Sequence, residues 1–162
     1  MVAERCRGSG TGEEAPVTGA GVWPVFPVGG RAGRMKGGFS LKLIETGKAP
    51  AAIGPYSQGW VAAGLVFTSG QIPIDPATGA APEGITAQAE QSCKNVQAVL
   101  EAGGSSLGKV VKTTCFLADM GDFGAFNEVY ARYFTGKPAR SCVAVKTLPK
   151  NLLCEIEAIA EK

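Results

Sequence analysis

The side chain with the clearest chemical use is Arg140, in Pro138-Ala139-Arg140-Ser141. A guanidinium is planar and always charged, and its paired N–H groups match a carboxylate. By itself, an arginine after a loop is most often an exposed salt-bridge former. Cys142 follows two residues later and shares Arg140's face on a regular strand; taken alone it reads as a small core thiol. Glu155 is a candidate to move a proton, because partial desolvation raises a carboxyl's pKa toward neutrality. Glu157 shares its face by period, so spacing leaves the choice between the two glutamates open. Tyr56 in Gly54-Pro55-Tyr56-Ser57-Gln58 offers an apolar wall with a hydroxyl at its tip, and in most such places it only packs. Ser69-Gly70 can present a hydroxyl and backbone N–H groups to a carboxylate, since glycine permits close approach; the glycine equally fits a bulge. Asn127 falls within a helical pattern, where an amide is unremarkable.

What is missing narrows the chemistry. There is no histidine among the 162 residues, which removes Ser-His and Cys-His nucleophile pairs and histidine bases. The five cysteines (Cys6, Cys93, Cys115, Cys142, Cys154) are odd in number and show no CxxC spacing. Together these features argue against zinc and for a reduced, cytoplasmic protein. Residues 41–162 carry eleven Lys/Arg and eleven Asp/Glu, so the net charge of +2 arises entirely in the first forty. A neutral body is a poor ligand for polyphosphate, which weighs against a main role on RNA or DNA.

Positioning these groups falls to residues 39–162. The stretch 1–38 holds ten glycines with Pro16, Pro24 and Pro27 and has no periodicity. It reads as a disordered extension, with Met35 as an alternative start. It lacks the apolar core of a signal peptide, and its early glutamates suit a transit segment poorly; as a transit segment it would imply an organellar matrix. Beyond it, Leu41–Ile44 reads as a strand, and Trp60–Ala62 and Leu65–Phe67 flank a tight Ala63-Gly64 turn. Residues 73–84 are a loop dense in Pro and Gly. Thr86 is placed to cap a helix with Ala89, Cys93, Val96, Val99 and Leu100 on its apolar face, stopped by Gly103-Gly104. Val110–Leu117 is a strand, with Val111, Thr113 and Cys115 expected on one face. Asp122 is placed to cap a second helix presenting Phe123, Phe126, Tyr130 and Phe134. Strands Ser141–Val145 and Leu152–Ala160 complete the order β-β-β-α-β-α-β-β. That order predicts an α+β domain, with two helices on one face of a mixed sheet and the other face left for partner subunits.

Six stretches in order now carry a resemblance: APAAIGPYSQ (49–58), FTSGQIPID (67–75), QAEQSCKNVQAVLEAGGSSL (88–107), VVKTTCFLADMGDFGAFNEVYARYF (110–134), PARSCVAV (138–145) and EIEAIA (155–160). The chain resembles the RidA, or YjgF, family over nearly all of residues 41–162. That resemblance implies a chorismate-mutase-like α+β fold and a homotrimer with clefts between subunits. It also implies hydrolytic deamination of enamine/imine acids, such as 2-aminoacrylate and 2-iminobutanoate, to 2-oxo acids and ammonia. No cofactor and no membrane are implied. It makes Arg140 the substrate-binding arginine and favours Glu155 over Glu157 for water activation. It raises Tyr56, Ser69, Gly70 and Asn127 above background, and assigns the backbone at Cys142 to holding substrate or water.

Two departures stand out. Thr135-Gly136-Lys137 before Pro138 is about one residue shorter than the family pattern, which questions the placement of Arg140. Cys154 replaces an aliphatic residue beside Glu155. Three rivals remain: a trimeric binder of 2-oxo acids or related metabolites without turnover, an RNA-directed ribonuclease or translation inhibitor, and a chaperone-like role that no feature here marks.

Overall fold

The computed structural model describes residues 41–162. The stretch 1–38, Met35 as a start and Cys6 lie outside the described residues. The main elements are β1 Lys42–Ile44, β2 Gly59–Ala62, β3 Leu65–Thr68, α1 Ile85–Ala102, β4 Val110–Leu117, α2 Phe123–Tyr133, β5 Ala139–Ala144 and β6 Cys154–Glu161. They form one six-stranded sheet in the order β1-β2-β3-β6-β4-β5. Every neighbouring pair is antiparallel except β4 and β5, whose crossover is α2. The α+β order expected from the sequence is therefore the order found.

Local chemistry explains most boundaries. Ala62 pairs with Leu65 across a two-residue turn whose Ala63 and Gly64 both have positive φ, 50° and 78°. That combination is the turn whose twist matches a hairpin. Helix α1 starts differently from expectation: Gly84, with φ 77°, is the cap residue, and Thr86 lies inside the first turn. Glycine's tolerance of positive φ lets the loop swing into the helix one residue pair early, with Gln88 N–H bonded to Gly84 O at 3.0 Å. Asp122 does precede α2 but makes no side-chain cap. Asp119 does that work instead, accepting from Gly121 N at 2.7 Å at the head of a 3₁₀ turn that runs into the helix.

One face of the sheet carries both helices. Cys93, Val96, Val99 and Leu100 of α1, Phe126, Val129 and Tyr130 of α2, and Phe134 just past its end are buried against Val66, Cys115, Ile156 and Ala158. Each Val, Leu, Ile or Phe among them contributes roughly 1.5–3 kcal/mol by leaving water. In β6, Cys154, Ile156, Ala158 and Ala160 face inward and Glu155, Glu157 and Ile159 outward, as the alternation predicts. Val111 is a correction. It is 46 % exposed while Thr113 and Cys115 are 0 %. A bulge causes this: Val110 lies opposite Ala160 and Lys112 opposite Ile159, so the extra residue flips Val111 off the core face.

The opposite face bears a row of apolar side chains. Leu43, Trp60 and Phe67 align in register across β1, β2 and β3. Their exposures of 40 %, 43 % and 36 %, with Val143 at 47 %, show that nothing in the described residues covers them. Among the described residues, no helix is long and apolar enough to cross a membrane.

Candidate functional site

The arginine group is built by β5 and α2. In register Arg140 lies opposite Thr113, a buried residue, so its side chain rises on the helix side of the sheet. There α2 presents Phe123, Asn127 and Tyr130, spaced four and three residues apart and hence on one helical face. Arg140 Nη1 donates to Asn127 Oδ1 at 2.7 Å. The guanidinium carbon stands 4.6 Å from the Tyr130 ring centre and 5.5 Å from that of Phe123. A groove lined by Asn127, Tyr130, Phe134, Thr135, Lys137 and Arg140 opens beside it. The short connection does not displace the arginine from Asn127. Instead, Lys137 absorbs the tight path with a left-handed φ of 50°, a conformation that strains any residue but glycine. Cys142 is half-buried opposite Cys115. Burial pushes its thiol pKa up, against a smaller pull from Arg140, so the thiol is not primed as a nucleophile.

The second group gathers around Glu155. Gln71 pairs with Ile156 as a single bridge, with Gln71 N to Ile156 O at 2.8 Å, which sets Gly70 beside Glu155. A Cβ on Gly70 would coincide with the Glu155 carboxyl. The glycine is therefore needed for close approach, and the acid occupies the volume of the missing side chain. Burial first, and Glu157 second, raises the pKa of Glu155 above the ordinary glutamate value. Of the two glutamates that the alternation leaves equivalent, Glu155 is thus the one held against Gly70. Ser69 is already engaged: its hydroxyl donates to Ser57 O at 2.6 Å and its N–H to Gln58 O at 2.9 Å. What it still offers is an oxygen lone pair.

Tyr56 sits exposed on the loop between β1 and β2, and its hydroxyl accepts from Ile53 N at 3.4 Å. With Gly70, Pro50, Ile53, Gln71 and Ile74 it lines a cleft of about 210 Å³. The loop is held by a residue the sequence reading passed over. The buried Gln58 amide donates to the carbonyls of Thr46, Ala49 and Pro50 and accepts from Thr46 N. Its signal was there in Pro55-Tyr56-Ser57-Gln58, a long polar side chain entering a strand.

The structure does not bring all these residues together within one chain. Glu155 pairs with Phe116, which pairs with Val143, on the open face. Arg140, Thr113 and Ala158 share the helix-covered side. Arginine, Asn127 and Cys142 form one half; Tyr56, Ser69, Gly70 and Glu155 form the other. No ionisable group of one half is bonded to the other.

The sequence pattern of the family described as Endoribonuclease L-PSP matches residues 46–162. The chain belongs to this family. The family is the RidA/YjgF group already suggested by the six stretches. A 2-iminobutanoate/2-iminopropanoate deaminase of Salmonella typhimurium strain LT2 is 54 % identical over 123 residues, covering 74 % of this chain and 96 % of that protein. Among solved structures, Escherichia coli TdcF with bound serine is 49 % identical with a TM-score of 0.73, covering 75 % of this chain and 98 % of the other. The Escherichia coli YjgF gene product is 50 % identical with a TM-score of 0.72, over 75 % and 98 % respectively. The RidA/YjgF fold of residues 41–162 is thus shared across nearly the full length of these relatives.

Proposed function

We propose that the chain hydrolyses 2-imino acids, and the 2-enamino acids that tautomerise to them, to 2-oxo acids and ammonia. Arg140 grips the substrate carboxylate, and Asn127 fixes one edge of the guanidinium so that its remaining donors face outward. Glu155, ionised, takes a proton from water as the oxygen adds to the C=N carbon. With the imine protonated on nitrogen, this gives a neutral carbinolamine. Glu155 returns the proton to its nitrogen, the C–N bond breaks as ammonia leaves, and the hydroxyl proton passes back to the Glu155 carboxylate, and from there to ammonia, as the carbonyl forms. An acid with a raised pKa suits both steps, because it exchanges protons nearer to neutrality. Tyr56 walls the site and Ser69, Gly70 and Cys142 line it. The reaction consumes only imine and water, with no cofactor.

The observation that carries this reading is the pairing of two intact halves, Arg140–Asn127 and Gly70–Glu155, in a chain half identical to a named imine deaminase. Because the halves lie on opposite faces, a working site needs Arg140 from one copy and Glu155 from another. A homotrimer that buries Leu43, Trp60 and Phe67 between copies supplies this geometry. Cytoplasm is the compartment we assign. Although the family's description names an endoribonuclease, the formally neutral residues 41–162 give no surplus of cations for a polyphosphate.

The test supplies threonine dehydratase with threonine and follows loss of 2-iminobutanoate in a buffer where spontaneous hydrolysis is slow. Wild type is expected to accelerate the loss and Arg140→Ala to leave it at the background rate. Equal rates for both proteins would reduce the chain to a 2-oxo acid binder and reject the proposal.

A further inference from the structure

We propose that Tyr130 is a positioning residue for Arg140, a ring platform that fixes the plane of the guanidinium and thereby its affinity for a carboxylate. Four observations converge. The Arg140 guanidinium carbon lies 4.6 Å from the Tyr130 ring centre, within the range of a cation–π contact. Tyr130 itself has little freedom: its ring stacks on Phe134 with centres 4.4 Å apart. Its hydroxyl is bonded to Thr113 Oγ1 at 2.7 Å in a buried contact. Thr113 is the residue opposite Arg140 in the sheet register. One hydroxyl bridge therefore ties α2 to β4 at the rung that carries the arginine, and the ring it steers lies beneath the guanidinium.

A single hydrogen bond to Asn127 leaves the guanidinium free to turn about that bond. A ring under the plane removes that freedom. With Phe123 at 5.5 Å on the outer side, the group is held by two rings and one amide. The unbonded donors then point one way before any ligand arrives, so less ordering is left to the moment of binding. Tyr130 does not donate a proton to substrate in this arrangement, since its hydroxyl is committed to Thr113.

The identity of the ligand as a short 2-oxo or 2-imino acid rests on the deaminase reading; the positioning role does not. The experiment therefore uses 2-oxobutanoate binding by calorimetry, alongside the side-chain NMR resonance of Arg140 Nε–H, in the full-length protein. Tyr130→Phe loses the Thr113 bridge but keeps the ring stacked on Phe134, and should weaken binding by no more than about twofold. Tyr130→Leu removes the ring and should weaken binding about tenfold. The ring-current displacement of the Arg140 resonance should persist in the first variant and shrink to the weaker contribution of Phe123 in the second. In an Arg140→Lys background, Tyr130→Leu should add little further loss, because the two residues act as a unit. Phe123→Leu removes the half-buried second ring against the guanidinium and should weaken binding about threefold; where the Tyr130→Leu protein does not fold, unchanged binding in this variant overturns the ring-platform role.

Unchanged binding in folded Tyr130→Leu, or equal losses from Tyr130→Phe and Tyr130→Leu, overturns the proposal. A wild type that binds no 2-oxobutanoate removes the ligand reading, and the Arg140 resonance then decides alone: a resonance unmoved by Tyr130→Leu overturns the positioning role. If wild type binds and the variants behave as stated, yet dehydratase-coupled deamination is absent, the positioning role stands and the deaminase reading falls.

Discussion

The two faces of the sheet are built to different standards of completeness. On the helix side, Val66, Cys115 and Ile156 are fully buried, and Arg140 rests on a ring and an amide from the same chain. On the other side, Leu43, Trp60, Phe67 and Val143 remain at least a third exposed, and Glu155 lies on that same face, opposite Phe116 in register and against Gly70. The first face is finished by folding. The second leaves a row of large apolar groups open to water, which is costly, and on the proposed reading it is this row that association covers. Both groups are half-buried in the single chain; the arginine has its partners from folding alone, whereas the acid borders the surface that assembly would cover.

Mixing two inactive proteins is the sharpest way to break this contrast. Arg140→Ala and Glu155→Gln should each lower kcat/KM at least about a hundredfold, as losses of a transition-state contact and a proton carrier do. After subunit exchange, a mixture should regain about one quarter of wild-type activity, because that share of random interfaces pairs an intact arginine with an intact glutamate. No recovery would place both groups in one chain's site. Next, charge on the open face is set against a cavity on the covered one. Trp60→Lys with Phe67→Lys should give folded monomers without activity by sedimentation and circular dichroism. Phe126→Ala should instead cost about 3–5 kcal/mol in a denaturant titration.

A smaller effect is expected at Gly70. Adding a Cβ there displaces the Glu155 carboxyl, so Gly70→Ala should lower kcat about tenfold or more while leaving KM, set by Arg140, close to wild type. The smallest concerns pH. With the Glu155 pKa raised by burial and then by Glu157, activity should climb with pH through an ionisation above the ordinary glutamate value of about 4.3. Glu157→Gln removes the lesser cause and should move that limb to lower pH. A carboxyl with a raised folded pKa favours folding while protonated, a contribution complete below its unfolded pKa and lost as pH rises through the folded one. Glu155→Gln should therefore raise the melting temperature slightly at pH 7 and not at pH 4, by calorimetry.

Much of the architecture was legible because period and turn chemistry agreed locally. The Ala63-Gly64 hairpin, the 154–160 alternation and the second helix with Phe126 and Tyr130 inward all follow from residues a few positions apart. Thr86 misled because a glycine with positive φ outcompeted a side-chain cap, and Val111 because a bulge is a property of two paired strands rather than of one. The site was legible as residue types but not as an arrangement. Spacing puts Arg140 and Cys142 together on a strand, yet the opposition of Arg140 and Glu155 depends on the order in which strands assemble. Gln58 and Tyr130 were missed or taken as packing, since their roles lie in contacts 8–17 residues away along the chain.

The three residues between Phe134 and Pro138 leave the chain no slack. A longer tether would let the helix breathe without moving the arginine strand. Here Lys137 is already bent into a rare conformation to make the span, so a small slide of the helix must be passed straight to the guanidinium. Whatever loosens that helix shifts Asn127 and Tyr130, and with them the contacts that hold Arg140 in place.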